Sequence, residues 1–314
     1  MKNIADIKYT VNYNLLQRAK KELQNVSHNS NYKENLIIDS YNSATIEGAR
    51  TTVERVKKSL NNPKTKDDKM VANNVKVLHR IYSGMDINEN HIRLIWEELV
   101  KGACENTGII GSKYRSGIVY VSDGTEVKYT PPSADEIPEL MDKMFKYMDS
   151  KEDSITRAIM SHLYFVIIHP FCDGNGRMAR LITNYILFKT GYSNVKYISI
   201  SNVIRQNIKE YYRTISKAEE DNCDASEFVN FMLKVIIKAC DVANKSSIEI
   251  SDTAKAILRR MKNINSEITV SKASKIIGKT EGYTRTVLND LCDKNIMTRR
   301  KIGNKFVYSK TVHF

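Results

Sequence analysis

Apolar residues recur at helical spacing along most of the chain, clearly over residues 90–101 and again over 155–168. Asn88-Glu89-Asn90 stands before the first of these and supplies an N-cap. A third helical pattern covers 178–188 after a polar break. Residues 115–133 depart from this period. They are β-branched and aromatic, with Ser-Asp-Gly midway and Pro131-Pro132 near the end. That pattern predicts a β-hairpin turning near Asp123-Gly124, inserted in a helical domain. A lone hairpin is marginal in water, so it must pack on the helices or serve as a binding edge. Near residues 246–252 the composition shifts, and we expect a domain boundary at about residue 250. Beyond it the pattern predicts helices over 253–262, 271–278 and 280–296, then two short strands around Gly303-Asn304. Helix, turn, helix and a basic β-wing describe a winged helix-turn-helix. The predicted fold class is mainly α: a helical domain with an inserted hairpin, followed by a winged helix-turn-helix domain over 251–314.

Composition narrows the setting. With 41% hydrophobic and 27% charged residues, a chain of 314 residues can build a core without disulfide or metal staples. Its five cysteines are an odd number at wide spacing, which fits free thiols in a reducing compartment. The longest apolar run, 163–168, is too short to span a bilayer, and the first residues do not read as a signal peptide. We therefore expect a cytoplasmic protein without a membrane partner. The net charge of +13 is unevenly spread, because residues 251–314 hold 14 Lys and Arg against 5 Asp and Glu. Such a tail suits an acidic partner, nucleic acid first, and equally serves solubility.

The chemistry concentrates in residues 169–180, His-Pro-Phe-Cys-Asp-Gly-Asn-Gly-Arg-Met-Ala-Arg. Two glycines in Asp173-Gly174-Asn175-Gly176 allow the backbone angles of an anion-binding nest. A helix follows directly, so its positive end faces the same point. Arg177 and Arg180, at i and i+3, share a face and suit a polyphosphate. Asp173 offers a hard oxygen for magnesium, and His169 is the group whose ordinary pKa suits a general base near neutrality. Phe171, among polar neighbours, reads as an anchor pinning the loop to the core, and Cys172 as a small filler. Each element alone is common. Their convergence within twelve residues is not.

The segment resembles the signature of the Fic family, His-x-Phe-x-(Asp/Glu)-Gly-Asn-Gly-Arg-x-x-Arg, at every fixed position. The resemblance implies a protein adenylyltransferase that moves AMP from ATP to a Ser, Thr or Tyr hydroxyl of a target protein. It implies His169 as the base, Asp173 as the Mg2+ ligand, and Asn175 with the amides of Gly174 and Gly176 around the α-phosphate. Arg177 and Arg180 would take the outer phosphates. Residues 115–133 resemble the family flap, which holds a target segment by strand addition. Tyr211 stands where relatives place a tyrosine near adenine, and Glu219 or Asn222 where they often place an asparagine. Relatives that phosphorylate carry a Lys-containing variant of the Gly-Arg part. This chain keeps Gly176-Arg177, so AMP transfer leads, with AMP removal a further activity of such sites.

Ser43-Ala-Thr-Ile-Glu47-Gly48 resembles the family's inhibitory motif, (Ser/Thr)-x-x-x-Glu-(Gly/Asn). The resemblance implies that Glu47 pairs with Arg180 and blocks the γ-phosphate position. The domains expected are an N-terminal helical region over 1–90 with an inhibitory helix around 38–50, a catalytic core over 91–245, and the winged helix. Relatives often form homodimers. The competing reading is a DNA-binding transcriptional regulator using this fold as a sensor, motivated by Arg285 and by Arg299, Arg300, Lys301 and Lys305 on the wing. A protein partner for the winged helix is the other alternative.

Overall fold

The computed structural model describes residues 7–26, 32–104, 113–122, 127–219, 223–245, 251–261, 267–294, 296–303 and 305–310. By contacts the chain forms two compact units, Met1–Ser246 and Ser247–Phe314.

The first unit is helical. It runs through α1 (Tyr13–Gln24), α2 (Tyr32–Ile46), α3 (Val53–Ser59), α4 (Lys66–Tyr82) and α5 (Ile92–Val100). A short hairpin follows, β1 (Val121–Ser122) paired antiparallel with β2 (Val127–Tyr129), Val121 opposite Tyr129. Then come α6 (Ile137–Met148), α7 (Ser154–Ile168), α8 (Asn175–Lys189), α9 (Ile200–Gln206), α10 (Ile208–Glu219) and α11 (Ser226–Lys245). Helix α7 is the axis of the core. Asp153 caps it through the amides of Ile155 and Thr156, and Ile155, Ile159, Leu163, Phe165 and Ile168 are fully buried along it. Helix α8 packs along α7 with Met178, Ile182, Ile186 and Leu187 buried. Lys8 joins Asp224 by a parallel bridge, which seats α1 on α11 and closes the domain.

Several boundaries differ from the sequence pattern. Helix α8 begins at Asn175 rather than 178, because Gly174 turns left-handed (φ 80°) and lets the helix start inside the signature segment. The Asn88 side chain caps the turn before α5, accepting from the amides of Asn90 and His91, and only its backbone carbonyl reaches the helix, accepting from the Ile92 amide. The expected hairpin turn at Asp123-Gly124 lies outside the described residues.

Helix α2 is longer at its start than the expected 38–50 and stops at Ile46. The amide of Gly48 (φ +90°) bonds Thr45 O and that of Ala49 bonds Ala44 O. This is a Schellman ending, with glycine supplying the left-handed residue and Glu47 left at the cap position.

The second unit contains α12 (Asp252–Arg260), β3 (Glu267–Thr269), α13 (Val270–Ile277), α14 (Glu281–Asp293), β4 (Met297–Ile302) and β5 (Lys305–Lys310). Its antiparallel sheet has the order β3-β5-β4, with Ile268 and Arg299 both opposite Tyr308. Strand β3 is an addition to the two strands expected. Gly278 (φ +63°) makes the turn between α13 and α14, and Ile257, Ala273, Leu288, Leu291, Ile296 and Tyr308 form a separate core. Helix α14 stops short of the expected 296, because Ile296 turns back to bond Leu291 O and enters the core beside β4.

Candidate active site

The signature segment is a loop between two buried helices, and its shape follows from a few contacts. His169 ends α7 in a left-handed conformation (φ 50°, ψ 57°), unusual for a residue with a Cβ. Phe171 is buried and stacks on Trp96, ring centroids 4.6 Å apart and 10° between planes. Trp96 Nε1 donates to Asp173 O at 2.7 Å, so one side chain fixes both halves of the loop. Asn175 accepts from the Phe171 amide at 3.0 Å and donates to Phe171 O at 2.7 Å. It is buried with both polar ends engaged inside the loop, so it shapes the turn and its amide group does not project from it.

After that turn, the amides of Asn175, Gly176 and Arg177 open α8 and have no acceptor within the helix. Arg177 and Arg180 are almost wholly buried beside them. Arg177 lies 3.5 Å from the half-exposed carboxylate of Asp173. Nε of Arg177 and Nη1 of Arg180 are buried without a hydrogen-bond partner. Buried donors left open are costly, and a polyanion against this helix end would satisfy them.

Arg180 also faces α2. Its Nε donates to Ser43 Oγ (2.8 Å), and Nη2 donates to Ser43 O (3.0 Å) and Glu47 Oε1 (2.8 Å). Burial opposes the Arg180 charge, and Glu47 together with Tyr211 and Tyr212 more than offsets this, so its pKa stays above the ordinary value. Glu47 stands at a helix C-terminus, where the dipole disfavours a carboxylate, and Arg180 is what holds it there. Gly176 leaves the space for that contact: a Cβ on it would lie 2.3 Å from Glu47 Oε1.

The His169 ring is placed by its own helix. Nδ1 lies 3.2 Å from Val166 O, and since a carbonyl only accepts, Nδ1 carries the proton and Nε2 presents a lone pair. Burial pushes the pKa of His169 below 6.5. The nearby Glu47 and Asp173 charges pull the other way, while Arg115 adds to the lowering.

Tyr211 is not at the surface of this site. It is 2% exposed, with its hydroxyl donating to His162 Nε2 at 2.8 Å, while Tyr212 beside it is 48% exposed. His162 in turn donates from Nδ1 to Thr183 Oγ1, and burial holds it neutral with its pKa lowered to about 3. Glu219 ends α10, and Asn222 lies outside the described residues. Two residues missed by sequence reasoning shape the site: Trp96, and Arg115, whose Nε donates to His169 O. Among the described residues there is no cluster of three or more His, Cys, Asp or Glu able to hold a metal. Asp173, with 39% of its side chain exposed at the mouth of the loop, suits a magnesium that travels with nucleotide phosphates.

Residues 86–187 match the family model for the Fic/DOC family. The chain is 26% identical over 262 residues to a protein adenylyltransferase Fic of Drosophila yakuba, covering 76% of this chain and 49% of that protein. It is 33% identical over 134 residues to a protein adenylyltransferase Fic of Nematostella vectensis, covering 41% of this chain and 28% of that one. It thus spans about half the length of the first and less of the second. A crystal structure of a Fic family protein from Desulfovibrio desulfuricans G20 superposes with a TM-score of 0.65 at 24% identity, covering 97% of this chain and 98% of that one. A Fic domain containing signaling protein from Bacteroides thetaiotaomicron VPI-5482 gives 0.55 at 22% identity, covering 78% and 98%. At these identities the structures speak for the fold.

Proposed function

We propose that this chain, which carries a Fic domain, transfers AMP from ATP to a hydroxyl of a target protein. The observation that carries this reading is the pair of buried guanidiniums with open donors beside the first turn of α8. That arrangement suits a triphosphate in a fixed pose. His169 Nε2 accepts the proton of the target hydroxyl as its oxygen bonds to the α-phosphorus. The bond from that phosphorus to the bridging oxygen breaks, and pyrophosphate leaves. Asp173 would hold Mg2+, which neutralises phosphate charge when bound. The hairpin region over 115–133 serves as a docking edge for an extended target segment.

Glu47 is the inhibitory group in this reading, with Ser43 seating Arg180 and Gly48 ending the helix that carries it. Its carboxylate occupies the arginine that an outer phosphate needs. The domain division proposed is an N-terminal helical region over 1–90, a catalytic core over 91–245 and a winged helix-turn-helix over 251–314. Among the described residues no helix is long and apolar enough to cross a membrane, and we place the protein in the cytoplasm, with homodimers a further form. Exposed Arg285 on α14, with Lys301 and Lys305 on the β4-β5 hairpin, favours a second, acidic partner such as duplex DNA. A DNA-binding regulator is therefore the alternative reading.

The test uses ATP labelled at the α- or the γ-phosphate, with magnesium and a lysate of the source cells. Label from the α-position alone, on the chain itself or on a lysate protein, is expected. Label from the γ-position alone would replace AMP transfer by phosphoryl transfer.

A further inference from the structure

Arg115 stands at the start of the hairpin region and is 4% exposed. Its guanidinium donates to three backbone carbonyls. Nε reaches His169 O at 2.8 Å, Nη1 reaches Gly117 O at 2.8 Å, and Nη2 reaches Pro132 O at 2.5 Å. Its own amide donates to Pro170 O at 2.9 Å. Tyr129, on β2, donates from its hydroxyl to Ile167 O at 3.0 Å.

Three of these acceptors, the carbonyls of Ile167, His169 and Pro170, lie at the end of α7. A helix leaves its last carbonyls without amide partners, and its C-terminal end attracts a cation. The end of α7 is where His169 takes a left-handed conformation, which is strained in an L-residue with a Cβ and persists only where surroundings hold it. The carbonyl that this conformation turns out of the helix is the one Arg115 binds. The same fork binds both margins of the hairpin region, Gly117 on one side and Pro132 on the other.

We propose that Arg115 is a positioning residue that ties the two margins of the flap to the backbone of His169, so that seating of a target strand and aim of the base are set by one guanidinium. The proposal rests on the transferase reading for its kinetic consequence, and on geometry alone for its structural one. Arg115 acts through the backbone carbonyls that its guanidinium binds. A lysine at this position keeps the charge and reaches at most part of the carbonyl set. A glutamine loses the charge and most of the reach.

The experiment compares Arg115→Lys and Arg115→Gln, each in a Glu47→Gly background, with that parent. The transfer rate at saturating ATP is expected to fall by about 10²-fold in Arg115→Gln and less in Arg115→Lys, because misplacement by about 1 Å costs on that order. ATP affinity, measured by calorimetry, is expected to stay within about threefold of the parent, a change under about 0.7 kcal/mol. Equal rates in parent and variants overturn the proposal. So does a parallel loss of ATP affinity, or failure of both variants to fold, since each assigns Arg115 a general structural role.

Amide hydrogen exchange gives a readout that does not depend on transfer. In Arg115→Gln the amides at 115–117 and those of His169, Phe171 and Cys172 are expected to lose protection together, while those in the middle of α8 keep theirs. Loss confined to one of the two segments overturns the coupling even if the parent transfers no AMP, an outcome that sinks the transferase reading separately.

Discussion

Helices α7 and α2 both lie against α8, and they do so with opposite kinds of surface. On α7 most buried positions are Ile, Leu, Phe and Met, and α8 answers with Met178, Ile182 and Leu187, the His162–Thr183 bond being a polar contact within this seam. On α2 the residues facing the segment 196–205 are Asn35, Asp39 and Asn42, at i, i+4 and i+7. Asn35 donates to Lys196 O and Ile198 O, Asp39 accepts from Ser199 Oγ and the Ser201 amide, and Asn42 accepts from Arg205. Ser43 and Glu47 continue the polar surface to Arg180. The apolar residues of α2 divide: Leu36 enters the main core with Tyr32 and Ile46 against it, while Ala44, Ile37 and Tyr41 pack in a smaller cluster with Val56, Met70 and Val71.

The difference matters because the two surfaces lose different things on separation. Apolar area returned to water costs about 25 cal/mol per Å2 with nothing to offset it. A hydrogen bond exchanged for bonds to water costs only about 0.5–1.5 kcal/mol net. The polar stripe holds α2 in one register at modest total strength. The apolar seam makes α7, α8 and the loop between them one body. The base and the arginines belong to that body, while the proposed inhibitor sits on a helix whose ties to Arg180 and to 196–205 are hydrogen bonds, the ones its detachment would exchange for water.

The largest effect should come from within the rigid part. His169→Ala is expected to lower AMP transfer by about 10²–10⁴-fold, with ATP binding by calorimetry nearly unchanged. In the parent, burial lowers the pKa of His169, so the base form is present above a value lower than 6.5. The rate should therefore rise with pH through a midpoint below 6.5 and be level at neutrality; a midpoint above 6.5 would contradict the assignment. Next in size, Ile182→Ala on α8 should cost about 2–5 kcal/mol in a denaturant titration, with no gain in transfer rate. A rate increase there would mean that the seam, too, is part of the control.

On the polar side the sign reverses. Glu47→Gly should raise transfer by about 5–150-fold, the range of a coupling of about 1–3 kcal/mol. In an Arg180→Ala background it should raise nothing, since its target is gone. Asp39→Ala should act in the same direction and more weakly, by at most about tenfold or about 1.4 kcal/mol, because it loosens the middle of the stripe and leaves Glu47 in place. A fall in rate for either variant, in protein shown to be folded, would remove the detachable-helix picture.

What could be read from the sequence divides along the same line. Helices α5 and α7 were legible because their buried positions are apolar at helical period, and the signature because its chemistry is contiguous. Helix α2 shows almost no such period, since its buried positions include Asp39, Ser40, Asn42 and Ser43 where apolar residues would mark a face. Trp96 and Arg115 lie 77 and 54 residues from the loop atoms they hold, and spacing carries no trace of such contacts. Tyr211 is a different case. It shares a stripe with Thr214, Ile215 and Ala218, all buried, so its inward direction was present in the pattern beside the outward Tyr212. Asn175 has a polar side chain that sequence alone assigns as readily to a ligand as to its own loop.

The missing side chain of Gly176 has a consequence of its own. Glu47 Oε1 fills the space a methyl group would take, so the contact with Arg180 depends on an absence as much as on two charges. An alanine there would act as a wedge, pressing the carboxylate off the guanidinium while leaving both ionised groups in the chain. Shape and charge in this latch can thus be separated by a single carbon atom.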